Sequence, residues 1–142
     1  MKIGFTGTRN GMSPMQLSCV RAIIQMHATD RRHIIVTGAH GGCVGADAEF
    51  HSICMEYEID RIIHPGYSTK DRDSKKFSAD LFIGRRDVVL SPLPFLARNR
   101  EIVETTDFMI ACPESPLPST GGTWYTVNYA RDLKRNIIVI HS

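Results

Sequence analysis

The 142-residue sequence predicts an α/β fold, a three-layer sandwich around a mostly parallel sheet of about five strands. Three observations lead there. Short β-branched runs alternate with longer stretches of helical apolar spacing along the whole chain. The strand-like runs are near-continuously apolar, as strands covered on both faces are. The first, second and fourth of them end in glycine or small polar residues, the composition of loops at the ligand edge of such a sheet.

The elements follow in order. Lys2 to Gly7, KIGFTG, is a strand closed by glycine. Pro14 to His27 carries Leu17, Val20, Ile23, Ile24 and His27 at helical spacing, with Ser13 as N-cap ahead of Pro14. His33 to Gly38, HIIVTG, is the second strand, and the loop Ala39 to Cys43 leads into a helix over Val44 to Glu58. Asp60 to His64 is the third strand, stopped by Pro65 and Gly66. Residues 66–84 are polar, with the charge-dense run Lys70 to Lys76, and read as an excursion or flap; Asp87 to Leu90 is a short extra strand. Phe95 to Glu104 is a helix, Asp107 to Cys112 the fourth strand, Gly122 to Leu133 the last helix and Asn136 to Ile140 the last strand. With no internal repeat and no linker, residues 1–142 form one domain.

Composition excludes several classes. Hydrophobic residues at 42% and charged residues at 23% suit a soluble globular chain. A net charge of +2 is too small for the electrostatic footprint of a nucleic-acid binder, yet does not repel a phosphorylated ligand. No apolar run is long enough for a membrane span, and no signal segment precedes the first strand. Cys19, Cys43, Cys54 and Cys112 form no CxxC pair, and are read as reduced thiols of a cytoplasmic protein. There is no HExxH or other metal spacing and no GxSxG elbow, so neither a metal nor a cofactor is expected.

Four motifs can carry ligand chemistry. In GFTGTR, Gly7 permits close backbone approach, Thr8 offers a hydroxyl and Arg9 a guanidinium fork for phosphate. In TGAHGGCVGAD, Gly38, Gly41 and Gly42 suit backbone amides aimed at an anion, His40 is a loop histidine, and Asp47 either favours the helix dipole or accepts from a ribose. Arg98, early in a helix, opposes that helix's dipole and so suggests an anionic partner. In PSTGGTWYT, Gly121, Gly122 and Thr123 present amides and a hydroxyl at a helix start, while Trp124 reads as packing. His64, Tyr67, Lys70 and Asp73 are lesser candidates at the same sheet edge, and His51 reads as a packed or surface histidine.

Taken in this order, GFTGTR, TGAHGGCVGAD, RNREIVETTD and GGTWYT resemble the SLOG superfamily of Rossmann-like nucleotide-binding domains. That group includes the Lonely-guy phosphoribohydrolases, the DNA-processing protein A (Smf) family and sensor domains for ADP-ribose-derived signals in antiphage systems. The resemblance covers nearly the whole chain. It implies that Arg98, nine residues before Asp107, matches the arginine of the phosphoribohydrolase branch. That branch carries a glutamate three residues past the motif threonine, and here that place holds Thr126, which cannot act as a carboxylate. The cationic sugar of N-glycosidic cleavage would lack its stabiliser.

The resemblance therefore implies a protein that grips the phosphates and ribose of a nucleotide or ADP-ribose-like molecule, as a sensor or a sequestering protein, without hydrolysis. A homodimer or higher homo-oligomer is expected, with output through a partner, through assembly or through sequestration in phage or antiphage signalling. No membrane partner is expected. The alternative is an enzyme of the nucleotide N-glycosidic bond, a phosphoribohydrolase or deoxyribosyltransferase-like catalyst, using Arg98 and a replacement carboxylate from Asp47, Glu49, Glu101 or Glu114.

Overall fold

The computed structural model describes residues 1–30, 35–75, 81–117 and 121–142, with 71–75 described by backbone alone. Nine strands and four helices follow one another among these residues: β1 Lys2–Gly7, α1 Pro14–Ala28, β2 Thr37–His40, α2 Ala46–Glu56, β3 Asp60–Ile63, β4 Gly66–Ser68, β5 Asp71–Lys75, β6 Asp87–Val89, β7 Leu93–Pro94, α3 Phe95–Thr105, β8 Phe108–Cys112, α4 Gly122–Asp132 and β9 Ile137–Val139.

Six strands form one wholly parallel sheet in the order β6-β3-β2-β1-β8-β9. The sixth member, beyond the five main strands expected, is the short run at Asp87, which lies on the edge beside β3. The polar excursion supplies a second, small sheet in which β4 pairs with β5 and β7.

Alternation along β1 shows how the layers are built. Ile3 and Phe5 are buried with Val20 and Ile24 of α1 and with Phe50 and Ile53 of α2, the Phe5 and Phe50 rings stacking at 4.6 Å. Each such side chain contributes roughly 1.5–3 kcal/mol when fully buried. Gly4, pointing the other way, leaves room for Met109 and Thr106, and that face is closed by Ile102 and Val103 of α3 and Ala130 of α4. Helix α1 starts where the sequence placed it, because Ser13 and Gln16 complete a reciprocal capping box ahead of Pro14.

The second strand differs from the expectation of His33 to Gly38. Its first two residues lie outside the described residues, Ile35 is exposed, and the strand proper is Thr37–His40. Register decides this: Thr37, Gly38 and Ala39 pair with Lys2, Ile3 and Gly4, and His40 with Ile63. Gly38 is small because α2 lies on it; a Cβ there would meet Cys54 Sγ at 2.8 Å. Helix α2 likewise starts two residues later than Val44, at Ala46.

The chain runs outward from β1 through β2 and β3 to β6, then crosses back to β8 on the other side of β1. The reversal point lies between β1 and β8, where Gly7 and Cys112 pair at the ends of the two strands. In an open parallel sheet this is where loops diverge and leave a crevice.

Candidate functional site

A cleft of about 750 Å³ opens at that point. It is lined by the loop after β1, the loop before α2, the first turn of α3, the residues following β8 and the start of α4. Of the residues singled out in the sequence, Gly7, Thr8, Arg9, Gly41, Asp47, Arg98, Gly121, Gly122, Thr123 and Thr126 line it. Gly38, His40 and Gly42 do not.

The loop before α2 is glycine-rich, but its amides are taken by its own chain. Gly42 N–H donates to His40 Nδ1 at 3.0 Å, and Cys43 N–H to Asp47 Oδ2 at 3.2 Å. Gly41 N–H adds a second backbone bond to the Asp47 carboxylate. The first amide of α2, Ala46 N–H, donates to Thr8 O at 3.0 Å. Asp47 thus fills the anion nest that the glycines create. Burial pushes its carboxyl up to about 6, against the pull of Arg98 and the two amides.

His40 is fully buried, unlike the loop histidine the sequence suggested. It receives from Gly42 on Nδ1 and meets His51 Nδ1 at 2.9 Å, and His51 Nε2 lies 2.7 Å from Phe82 O. One neutral tautomer satisfies all three bonds: the Nε2–H of each ring donates onward. Burial and its histidine neighbour hold the His40 pKa well below its usual value. His51 is packed, as its sequence context suggested.

Arg98 is also buried, and its fork is largely spent on backbone. Nη1 donates to Gly41 O at 2.9 Å and His64 O at 3.0 Å, Nε to Asn99 Oδ1 at 2.7 Å, and the guanidinium lies 5.3 Å from the Phe95 ring centroid. It ties the ends of β2 and β3 to α3. Arg9 contrasts with it: among the described residues its guanidinium has no carboxylate partner, and it lines the cleft.

Helix α4 opens on the cleft at Gly121 and Gly122, and its N-cap residue, Gly121, has no side chain of its own to cap it. Among the described residues a Cβ on Gly122 would meet only Asn99 Nδ2, in ordinary contact at 3.7 Å. Pro118, Ser119 and Thr120 of the preceding loop lie outside the described residues. Thr126 is buried one turn on, its hydroxyl donating to Gly122 O at 2.9 Å. Trp124 packs with Ala111 and Val127, as its spacing suggested, and also forms part of the cleft wall.

The candidate replacement carboxylates part company. Glu49 accepts from Met12 N–H at 2.7 Å and Glu101 pairs with His64 at 2.9 Å. Among the described residues only Asp47 and Glu114 line the cleft. Of the lesser candidates, His64 is buried, and the side chain of Asp73 lies outside the description. Sequence reasoning passed over Asn10 and Asn99 as site residues; both flank a motif, and their place in the cleft follows from turns that spacing does not reveal. Among the described residues no cluster of side chains suits a metal ion, and no helix is long and apolar enough to cross a membrane.

No protein-family model matches this chain, and no curated protein sequence does. Solved structures do match in fold. The molybdenum cofactor carrier protein of Chlamydomonas reinhardtii, in two structures, gives TM-scores of 0.62 and 0.58 at 17% and 18% identity, covering 99% of this chain and 77% and 76% of the carrier. TM1055, a structural genomics target, gives 0.57 at 14% identity, covering 96% of this chain and 71% of that one. The fold is Rossmann-like. At these identities the likeness extends to the fold alone.

Proposed function

We propose that the cleft holds the phosphate and ribose of a nucleotide or an ADP-ribose-like signal without cutting it, and that the chain is a sensor or sequestering protein of the SLOG type. The observation that carries this reading is the start of α4. A helix N-terminus with glycine at its N-cap lines the switch-point crevice, in the same cleft as Arg9, and such an end attracts a phosphate through its dipole. Thr126 supports grip over chemistry. It is buried, its hydroxyl proton is engaged by Gly122 O, and it offers no carboxylate to a cationic sugar. A carrier protein among the structural neighbours is a precedent for holding a ligand on this fold.

One observation favours a second reading. The Asp47 carboxyl, pushed up to about 6 inside the cleft, has the protonation range of a general acid or base. It would serve an N-glycosidic enzyme in place of the absent glutamate. Its engagement by the Gly41 and Cys43 amides leaves it poorly placed to move a proton.

Incubation with AMP and with ADP-ribose separates the two. Calorimetry and native mass spectrometry are expected to show a bound nucleotide and the oligomer mass, and chromatography no free base. Base release that disappears in Asp47→Asn would establish the enzyme. Absence of any nucleotide binding would sink the grip, and affinity for single-stranded DNA falling steeply with salt would redirect the reading to nucleic acid.

A further inference from the structure

We propose that Glu114 reads the vicinal diol of the ligand's ribose, so that the cleft selects ribonucleotides over their 2′-deoxy counterparts. This rests on the nucleotide-binding reading above.

Glu114 stands two residues beyond the end of β8, at the switch point, on the same connection that ends in the α4 N-terminus. Its carboxylate is oriented from the opposite loop. Asn10 Nδ2 donates to Oε1 at 2.9 Å and Oε2 at 3.1 Å, and Thr8 Oγ1 approaches Oε2 at 3.4 Å. Thr8 is itself placed by Asn10 N–H, which donates to Oγ1 at 3.2 Å. The carboxylate is therefore aimed, while remaining exposed in the cleft wall.

An ionised carboxylate only accepts, and offers about four lone-pair sites. Among the described residues one amide group and one long hydroxyl contact leave part of that capacity open. The partner it takes from a ligand has to donate and has to be neutral or positive, since a second anion beside it is repelled. A ribose carries such a group, two adjacent hydroxyls, close to its phosphate. The other cleft carboxylate cannot do this work. Asp47 is buried, filled by the amides of Gly41 and Cys43 and set against Arg98. Asn10 is then a positioning residue, acting through Glu114.

The discrimination follows from asymmetry. A site built to accept from a hydroxyl is left with an unpaired polar group when that hydroxyl is missing, and rejects the deoxy analogue more strongly than an apolar site would.

The test measures dissociation constants of AMP, 2′-deoxy-AMP and inorganic phosphate by calorimetry for the full chain and for Glu114→Ala, Glu114→Gln and Asn10→Ala. The unsubstituted protein is expected to bind AMP about tenfold or more tighter than 2′-deoxy-AMP. Glu114→Ala brings the two to near equality without weakening phosphate. Asn10→Ala lowers the same ratio, a readout that a purely structural role for Asn10 leaves unchanged. Glu114→Gln keeps one acceptor and retains part of the preference. Equal affinity for the two nucleotides in the unsubstituted protein, or a preference surviving Glu114→Ala, overturns the diol assignment while leaving nucleotide binding intact. If none of the three ligands binds, the nucleotide reading falls and takes the assignment with it.

Discussion

Two glycine-rich stretches end at the same edge of the sheet, and they do opposite things. Around Gly41 to Gly45 the backbone folds in on itself. Its amides go to Asp47, to His40 and to Thr8, its carbonyl at Gly41 goes to Arg98, and Gly45 packs directly against the backbone of Arg9. At Gly121 and Gly122 the backbone begins a helix whose N-cap residue is a glycine, with no side chain of its own to cap it, at the wall of the cleft. Both stretches are rich in glycine, but the first spends its N–H groups within its own loop, and the second opens a helix on the cleft. A nest of amides is an anion site only if the protein has not already supplied the anion, and in the first stretch Asp47 is that anion.

The largest effect expected of this contrast is at Gly45. Its φ of +84 lies where side-chain-bearing residues are strained, and a Cβ would sit 2.2 Å from Arg9 O, which is backbone and cannot swing away. Gly45→Ala is expected to lose more than about 3 kcal/mol of stability, or to fail to fold, in urea unfolding. A loss below about 1 kcal/mol would break the claim that this stretch is packed rather than open.

The intermediate effect is at Asp47, and its sign is set by a carboxyl raised from 3.8 to about 6 in the folded chain. Between those values the folded state binds more protons than the unfolded one, so this group's contribution is present at low pH and is lost as pH rises through about 6. The buried histidines, held below their usual values, tilt stability the other way. The informative quantity is therefore the difference between variant and parent. Asp47→Asn is expected to gain on the parent by on the order of 2–3 kcal/mol between pH 4 and pH 7, read from urea unfolding at several pH values. A flat difference would mean that Arg98 and the backbone amides offset the burial of the carboxylate in full.

The smallest effect on stability is at Gly122. Among the described residues only Asn99 Nδ2 stands within 4 Å of the added methyl group, so Gly122→Ala is expected to stay within about 0.5 kcal/mol of the parent. On the proposed reading its AMP affinity is expected to fall all the same, because the methyl group enters the cleft at the turn assigned to the phosphate. Unchanged affinity in calorimetry would show that the anion does not use this turn.

How much of this was legible beforehand depended on whether the signal was local. Helix α1 is written in Ser13, Pro14, Gln16 and an apolar face, all within one segment, and it stands where expected. The second strand was expected from the apolar run HIIV, of which His33 and Ile34 lie outside the described residues; the described strand is Thr37 to His40, with a glycine and a histidine among its residues, and Gly38 leaves room for α2. The same holds at the site. That the loops after β1 and β8 would meet at one edge of the sheet could be foreseen from glycine and small residues, and they line the cleft. That Arg98 would spend itself on Gly41 O and His64 O could not, because its partners lie 57 and 34 residues away.

The sequence by itself determined the parallel α/β class, the order of the main elements and a threonine, not a carboxylate, at position 126. These are properties of composition and spacing, which the chain carries whether folded or not. Only the tertiary structure decided which glycine loop is occupied, that Arg98 and His40 are buried struts, and that Glu114 faces Asn10 across the switch point. Those outcomes depend on hydrogen-bond partners far apart in the chain, and a donor's partner is known only once the sheet has brought the loops together.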